Sequence, residues 1–237
     1  MTDSPPGAAG RRDKLHGRRR GHKLRPGQQA LIDTALAAKQ SSVAAIAAAG
    51  PAGIFPVTPR EVWLEVGFGG GEHVAWQAAH NPNVGLIGCE VFQTGIATLL
   101  AQLKDSRNDN VRIVVDDARL VLDALPEASL ARAFVLFPDP WPKARHHKRR
   151  FVSPETLAAL ARVLRDGAEL RLGTDDIAYL RVMLEIACSH DAFEWLARRP
   201  ADWRERPPDW PQTRYEAKAI AQGRRPAFLR LIRRTRR

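Results

Sequence analysis

The sequence predicts an α/β protein whose mostly parallel sheet carries helices on both faces. Short apolar segments alternate with helical segments from residue 61 onward, which is the pattern of strands joined by helical crossovers. A glycine cluster follows the first apolar segment, and acidic residues follow the next two. Because sheets of this class bind ligands at the carboxyl ends of their strands, these residues are the first candidates for a site.

The individual elements follow from the hydrophobic patterning. A helix is predicted over 28–48, and the uncharged stretch 40–59 is interpreted as its end and a loop, because glycines and prolines interrupt it. A later helix begins after Ser153, since serine caps helices and Pro154 suits the first helical position. The predicted strands are 62–66, 84–89, 111–115, 131–137, 169–173, 193–197 and 227–232. The other predicted helices are 72–80, 93–104, 118–125, 153–164 and 177–189.

The positive charge of the chain is unevenly distributed. The formal net charge is +11, from 37 Lys and Arg against 26 Asp and Glu. Residues 1–26, 143–150 and 224–237 carry +6, +5 and +7, which leaves the remainder at −7. Concentrated positive charge binds polyanions by releasing counterions, so nucleic acid is the expected partner. We expect residues 1–25 to form a basic flexible tail and residues 26–237 a single domain.

The composition excludes several other classes. A hydrophobic content of 44% argues against a disordered chain. The two cysteines, Cys89 and Cys188, cannot form a disulfide framework or a four-thiolate zinc site, and no spaced set of ligands predicts any other metal. The arginine-rich start lacks the apolar run of a secretory signal, and no segment has the pattern of a membrane span. The expected compartment is therefore the cytoplasm.

The first strand ends in a glycine loop that contains Gly67, Gly69 and Gly71. Glycines allow a tight turn and a close approach of the backbone to a ligand. The G-x-G-x-G spacing departs from the G-x-G-x-x-G of dinucleotide sites, and residues 61–90 contain no Lys or Arg to meet a pyrophosphate.

Acidic residues lie at three successive strand ends, namely Glu65, Glu90 and Asp117. Glu90 can accept hydrogen bonds from the hydroxyls of a ribose, and Asp116 and Asp117 end the third strand, where an adenine amino group would lie. Carboxylates such as Glu65 suit a cationic ligand better than a diphosphate. S-adenosyl-L-methionine, an adenosine that bears a sulfonium cation, fits this pattern. NAD is the alternative that these residues alone leave open.

The fourth strand runs into a Phe-Pro-Asp-Pro-Trp-Pro segment at 137–142 and then into the basic segment 143–150. The flanking prolines hold the backbone of Asp139 stiff and extended. Trp141 offers a flat apolar face that suits a nucleobase. An aspartate, an aromatic ring and clustered cations at one strand end predict a nucleobase placed against a methyl donor.

These segments, together with an Arg-Pro-Gly-Gln-Gln run at 25–29, resemble the bacterial tRNA (guanine-N7)-methyltransferases, which modify guanine 46 in the variable loop. The resemblance spans about residues 18–237. It implies the Rossmann-like class I methyltransferase fold with a seven-stranded sheet. It also implies S-adenosyl-L-methionine as methyl donor, S-adenosyl-L-homocysteine as product and tRNA as partner. The expected protein is a monomer or homodimer that needs no other protein partner.

The resemblance further implies roles for individual residues. Asp139 is implied to be both the catalytic residue and a cofactor contact. The implied cofactor-binding residues are Glu65, Gly67, Gly69, Gly71, Glu90, Asp117 and Asp139. The implied substrate-binding residues are Lys143, Arg145, His146, His147, Lys148, Arg149, Arg150, Asp175, Thr213, Arg214, Tyr215 and Glu216. The chain departs from the family pattern in the segments 37–53 and 217–221.

The chemistry of this reaction limits what the protein must supply. Guanine N7 carries a lone pair and no proton, so no general base is needed to create the nucleophile. We therefore expect Asp139 to position the base and to stabilise the developing positive charge. Asp175 and Glu216 are expected to hydrogen-bond the guanine N1–H and amino group. The basic segments at the two chain ends are expected to grip tRNA away from the target base.

Two other functions remain as alternatives. Methyltransferases that act on exocyclic amines often have Asp/Asn-Pro-Pro-aromatic at this strand end, whereas here one proline separates Asp139 from Trp141. The other alternative is a non-enzymatic RNA-binding protein that retains the fold. The intact glycine loop and Asp139 argue against it.

Overall fold

The computed structural model describes residues 23–104 and 109–236. Nearly all of the predicted basic tail therefore lies outside the described residues. The strands are β1 (Gln40–Ser41), β2 (Glu61–Val66), β3 (Val84–Cys89), β4 (Val111–Val114), β5 (Leu130–Leu136), β6 (Leu164–Thr174), β7 (Phe193–Trp195) and β8 (Ala227–Arg233). The α-helices are α1 (Pro26–Lys39), α2 (Val43–Gly53), α3 (Glu72–His80), α4 (Gln93–Leu103), α5 (Ala118–Ala124), α6 (Pro154–Val163), α7 (Ile177–Ser189), α8 (Ala201–Arg204) and α9 (Arg214–Ala221).

The strands form one mixed sheet in the order β1-β4-β3-β2-β5-β6-β8-β7. The first six strands pair in parallel, and β8 is antiparallel to both β6 and β7. The strand order reverses between β2 and β5, which places the topological switch point beside the glycine loop. The predicted α/β class and mostly parallel sheet are confirmed.

Helices cover both faces of the sheet, because neighbouring residues of each strand point to opposite sides. In β2, Leu64 joins the core that contains Ile46 and Val121, from α2 and α5. Trp63 joins the opposite core with Val74, from α3, and residues of α4. None of the helices in the described ranges is long and apolar enough to cross a membrane.

The prediction of one helix over 28–48 was wrong. The chain instead forms α1 and α2, and residues 40–41 between them pair in parallel with residues 113–114 of β4. The hydroxyl of Ser42 accepts a hydrogen bond from the Ala45 amide at 3.1 Å and caps α2. This two-residue edge strand is added to the seven strands that the resemblance implies.

Short elements near the predicted site were also missed. A 3₁₀ helix, Ala144–Arg149, forms within the basic segment, and α9 forms ahead of β8. Strand β6 begins at Leu164, directly after α6, instead of at 169. The 3₁₀ helix and α9 matter for function because both flank the cavity described below.

A buried ion-pair network fixes the segment that precedes α9. Arg171 in β6 is 1% exposed and bonds Glu169 at 2.9 Å and Asp209 at 2.6 Å. The Gln77 amide of α3 donates to the Asp209 carbonyl at 2.8 Å. Because the Arg171 charge is buried, it depends on these acidic partners, so the network holds the segment against the sheet.

Candidate active site

A cavity of about 550 Å³ lies at the carboxyl ends of β2, β3, β4 and β5. This is the side of the switch point at which ligands of such sheets bind. Four carboxylates line it, together with two arginines and several aromatic rings. The acidic residues are Glu90, Asp116, Asp117 and Asp139, and the arginines are Arg119 and Arg149.

The glycine loop forms the floor of the cavity at the end of β2. Gly67, Gly69 and Gly71 have φ angles of 65°, 57° and 76°, a region that other residues adopt only with strain. Gly67 and Gly69 line the cavity, whereas Gly71 lies outside the lining and caps α3. A Cβ atom on Gly95 would collide with the Gly69 carbonyl, so the start of α4 packs directly against the loop.

The carboxylate of Glu90 holds the loop in place. Its Oε2 accepts the Gly69 amide at 2.8 Å, and its Oε1 accepts the amides of Val91 at 2.7 Å and Phe92 at 2.9 Å. Since a carboxylate oxygen has two lone pairs, Oε1 is saturated and Oε2 retains one acceptor position for a ligand. Burial raises the pKa of Glu90, and the nearby negative charge of Asp139 adds to the effect.

Asp116 and Asp117 form the next part of the wall, beyond β4. Asp117 caps α5 by accepting the Arg119 amide at 3.0 Å, and Asp116 accepts the Asp117 amide at 2.8 Å. The Arg119 guanidinium lies 3.4 Å from the Asp117 carboxylate and 5.1 Å from the ring centroid of Phe151. Sequence reasoning missed Arg119 and Phe151, although both line the cavity.

Asp139 is exposed at the rim of the cavity, in the segment after β5. Phe137 and Trp141, on either side of it, have φ angles of 50° and 44°, a region that costs free energy for residues with a side chain. Arg150 is 6% exposed, and its Nε donates to the Pro140 carbonyl at 2.7 Å. The segment is therefore held in a strained conformation by an arginine that points inward.

The basic segment 143–150 faces in two directions. Lys143, Arg145, His147 and Lys148 are exposed, whereas Arg149 is half-buried and lines the cavity. The Arg149 guanidinium carbon lies 4.9 Å from the ring centroid of Trp141, which is cation–π distance.

His146 packs edge-on against Trp141, with ring centroids 5.8 Å apart. Partial desolvation, with the positive charges of Arg149 and Lys143, lowers its pKa. His146 is therefore neutral at neutral pH and adds no cation to the segment.

Glu65 occupies a different environment from the other predicted cofactor residues. It is 2% exposed, it is absent from the cavity lining, and its Oε2 lies 2.6 Å from His73 Nδ1. The other ring nitrogen of His73 lies 3.2 Å from the Gln77 amide. Glu65 thus braces the first turn of α3 instead of facing the cavity.

The Thr-Arg-Tyr-Glu segment at 213–216 places one of its four side chains in the cavity lining. Tyr215 packs on the glycine loop, and a Cβ atom added to Gly69 would lie 2.7 Å from its ring. Burial, together with the charge of Glu90, raises the pKa of Tyr215, so its hydroxyl is protonated and can donate a hydrogen bond.

The other three residues of that segment make internal contacts. Thr213 caps α9 by accepting the Glu216 amide at 3.2 Å, and Arg214 forms an ion pair with Glu72. Glu216 is 3% exposed and accepts from Arg206 Nε at 3.0 Å.

Asp175 is likewise engaged, because it lies 2.9 Å from Arg224. Neither Asp175 nor Glu216 lines the cavity. Their roles as guanine contacts stay predictions.

The C-terminal basic segment runs from the cavity side to the opposite edge of the sheet. Its last described arginine, Arg236, bonds Asp166 and Glu127 and three carbonyls of residues 161–164. Arg233 and Arg234 also donate to backbone carbonyls. These arginines hold the end of β8 against its neighbours.

The residues of the cavity fit S-adenosyl-L-methionine. The free position on Glu90, the acidic wall at Asp116 and Asp117, and the glycine floor suit an adenosine that carries a positive charge. Within the described part of the chain, the arginine that reaches the glycine loop is Arg214, which is paired with Glu72. Among the described residues, no three His, Cys, Asp or Glu side chains are grouped to hold a metal ion.

Comparisons with known proteins agree with this geometry. A family profile described as "Putative methyltransferase" matches residues 59–229. A tRNA (guanine-N(7)-)-methyltransferase of Rhodospirillum rubrum is 50% identical over 226 residues, which cover 94% of this chain and 89% of that protein. The protein of the same name from Paramagnetospirillum magneticum is 50% identical over 231 residues, which cover 97% of this chain and 96% of the relative.

A solved structure supports the fold. It is described as an rRNA methylase from Streptococcus thermophilus, and it superposes with a TM-score of 0.51 at 15% identity, over 74% of this chain and 87% of that one. At this identity the likeness concerns the fold alone. The family profile matches most of the chain, and the two relatives align with it along almost their whole length. The chain therefore belongs to the tRNA (guanine-N(7)-)-methyltransferase family.

Proposed function

We propose that this chain transfers the methyl group of S-adenosyl-L-methionine to N7 of a guanine in tRNA, and that this guanine is position 46 in the variable loop. The observation that carries the proposal is the place of Asp139. It stands between a cavity walled by carboxylates and a segment of exposed cations. The family of the chain supports the same reaction, since the named relatives are tRNA (guanine-N(7)-)-methyltransferases.

The acidic end of the cavity binds the methyl donor. When bound, S-adenosyl-L-methionine supplies a methyl group that its sulfonium charge makes electrophilic. Glu90 Oε2 accepts from a ribose hydroxyl, Asp117 and Asp116 offer acceptors at the adenine side, and Gly67 and Gly69 let the ligand lie against the backbone. For Glu65 we propose a supporting role through His73, because it lies outside the cavity lining.

Asp139 acts on the charge that develops at the base. Methylation turns a neutral guanine into a cation, and a fixed carboxylate beside it stabilises the transition state more than the ground state. The left-handed residues on either side and the bond from Arg150 to Pro140 hold the carboxylate in place before the substrate binds. No proton has to leave N7, so Asp139 need not act as a base.

The exposed cations bind the tRNA backbone. Lys143, Arg145 and Lys148 lie next to the cavity, and contacts of this kind position a nucleic acid without reading its sequence. Arg233, Arg234 and Arg236, by contrast, bond acceptors at the far edge of the sheet. We therefore assign the main tRNA contact to the segment beside Asp139.

Three further expectations complete the proposal. Residues 26–237 act as one methyltransferase domain, because strands from residue 40 to residue 233 share a single sheet. The enzyme works in the cytoplasm, where tRNA is found. It acts as a monomer or homodimer without another protein, as the resemblance to its family implies.

The reaction is tested by identifying the methylated nucleoside. The purified chain is incubated with S-adenosyl-L-methionine and tRNA transcripts, and the digested RNA is analysed by mass spectrometry. We expect 7-methylguanosine, and we expect it to disappear when the variable-loop guanine is replaced by adenine. Methylation at an exocyclic amine, or the absence of methylation from any tRNA, would contradict the proposed function.

Asp139→Asn tests the electrostatic role. The substitution removes the negative charge and retains the shape, so we expect kcat to fall by roughly 100-fold or more, in line with the loss of other preorganised electrostatic groups. Affinity for S-adenosyl-L-homocysteine should change only a few-fold. The matched control is Asp123→Asn, on the exposed face of α5 and outside the cavity lining. An unchanged kcat in Asp139→Asn would refute the role.

The triple variant Lys143→Ala/Arg145→Ala/Lys148→Ala tests the assigned tRNA contact. Each lost phosphate contact should lower the slope of log affinity against log salt by about 0.7, so the expected decrease for three is roughly 2. Binding is measured by fluorescence anisotropy at several salt concentrations. Arg234→Ala, in the C-terminal segment, should leave the slope unchanged. The reverse pattern would move the tRNA contact to the C-terminal segment.

A further inference from the structure

Arg149 differs from the other cations of its segment because it is turned into the cavity. Its side chain lies in the cavity lining, and its guanidinium stands over the ring of Trp141 at 4.9 Å. Its Nε atom is buried and has no hydrogen-bond partner among the described residues. A buried N–H without an acceptor is unfavourable, so this atom indicates a place where a ligand supplies the acceptor.

The neighbouring cations have other uses. Arg150 donates its Nε to the Pro140 carbonyl, and Lys143, Arg145 and Lys148 face the solvent. Arg119, the other arginine in the cavity lining, is paired with Asp117 and donates to the Arg150 carbonyl at 3.4 Å. Among the described residues that line the cavity, Arg149 is thus the arginine with a buried donor that has no partner.

The two carboxylates expected to read the guanine lie outside the cavity lining. Asp175 Oδ2 is paired with Arg224, and Glu216 Oε1 is paired with Arg206. Glu216 Oε2 is buried and has no hydrogen-bond partner among the described residues. Arg149, by contrast, already lines the cavity.

The chemistry of the reacting edge identifies what Arg149 can recognise. Guanine presents N7 and O6 side by side, and both are acceptors, whereas adenine carries an amino donor in place of O6. In the reaction N7 must face the methyl donor, so O6 is the acceptor on that edge that remains for the protein. Arginine is the side chain most often used to contact this edge of guanine.

We propose that Arg149 is a specificity-determining residue which donates a hydrogen bond to O6 of the target guanine. The proposal rests on the proposed function, and it names the group that selects the base. The face of Trp141 holds the planar guanidinium in a fixed orientation, so the direction of the donor is set before the base enters. A purine without an acceptor at position 6 does not gain this hydrogen bond and therefore binds more weakly than guanine.

The test compares related purines at the target site of the same tRNA. Ligated transcripts carry guanine, 2-aminopurine or hypoxanthine at that site. 2-Aminopurine lacks O6 and the N1 proton but retains N7 and the 2-amino group, whereas hypoxanthine retains O6 and the N1 proton and lacks the amino group, and the Arg149 variants separate the loss of O6 from the loss of the N1 proton. For the wild-type enzyme we expect kcat/KM to fall by roughly 10- to 100-fold with 2-aminopurine and by much less with hypoxanthine. The opposite order would overturn the proposal without any variant.

Two variants then assign the effect to Arg149. The quantity compared is kcat/KM for guanine divided by kcat/KM for 2-aminopurine. Arg149→Ala and Arg149→Met should each lower this ratio toward the value set by the intrinsic reactivity of the two bases. Arg149→Met retains an apolar chain over Trp141, so it decides the question if Arg149→Ala does not fold. Melting temperature and affinity for S-adenosyl-L-homocysteine check that each variant is intact.

Lys148→Ala is the matched control, since this cation lies in the same 3₁₀ helix and faces the solvent. It should lower kcat/KM for both bases by the same factor and leave their ratio unchanged. A ratio that stays at its wild-type value in Arg149→Met overturns the proposal. A wild-type enzyme that methylates no guanine overturns the proposed function instead, so the two failures are distinguishable.

Discussion

The site depends on one carboxylate that joins three parts of the chain. Glu90 bonds the amide of Gly69, in the loop after β2, and the amides of Val91 and Phe92, in the turn that leads into α4. Gly67, Gly69 and Gly71 have left-handed φ angles, and a side chain at Gly95 would collide with the Gly69 carbonyl. Because these bonds leave one acceptor position on Glu90, we propose that the group which shapes the cavity also contacts the ligand.

Charge is separated across this cavity in a way that serves two substrates of opposite sign. Glu90, Asp116 and Asp117 make one end negative, and the exposed cations after Asp139 make the approach to the other end positive. A cationic methyl donor and a polyanionic RNA are thus each attracted to a different side. Asp139 lines the cavity and is exposed, and we propose that it stabilises the positive charge that passes from the donor to the base.

The sequence predicted those features that depend on local patterns. Strand ends follow from hydrophobic runs, so the positions of Glu90, Asp117 and Asp139 at one edge of the sheet could be predicted. Contacts between distant residues could not. The split of the first helix depends on pairing with β4, and the internal use of Arg236 depends on Asp166, 70 residues away.

The direction in which an individual side chain points could not be predicted from the sequence pattern either. Adjacent arginines at 149 and 150 look alike in the sequence, yet the 3₁₀ helix and the bond to Pro140 send one into the cavity and the other into the protein. Glu65 lies on β2 between residues of both cores, and its pairing with His73 depends on how α3 packs against the sheet. A histidine in the first turn after the glycine loop was the one local signal for that pair.

The most direct test of this account is the affinity of Glu90→Gln for S-adenosyl-L-homocysteine. It is measured by calorimetry over a range of about three pH units, from roughly pH 5 to 8, beside the wild type. Only the ionised carboxylate accepts both the Gly69 amide and a ribose hydroxyl, so wild-type affinity should fall as the pH drops. Since burial raises the pKa of Glu90, the fall should begin at a higher pH than for an ordinary glutamate. Glu90→Gln should bind S-adenosyl-L-homocysteine roughly 10- to 100-fold more weakly at neutral pH, as expected for lost charge-assisted hydrogen bonds. Its affinity should also lack this pH dependence.

Glu155→Gln, at an exposed site on α6, should behave like the wild type. Wild-type affinity and an unchanged pH profile in Glu90→Gln would contradict the account.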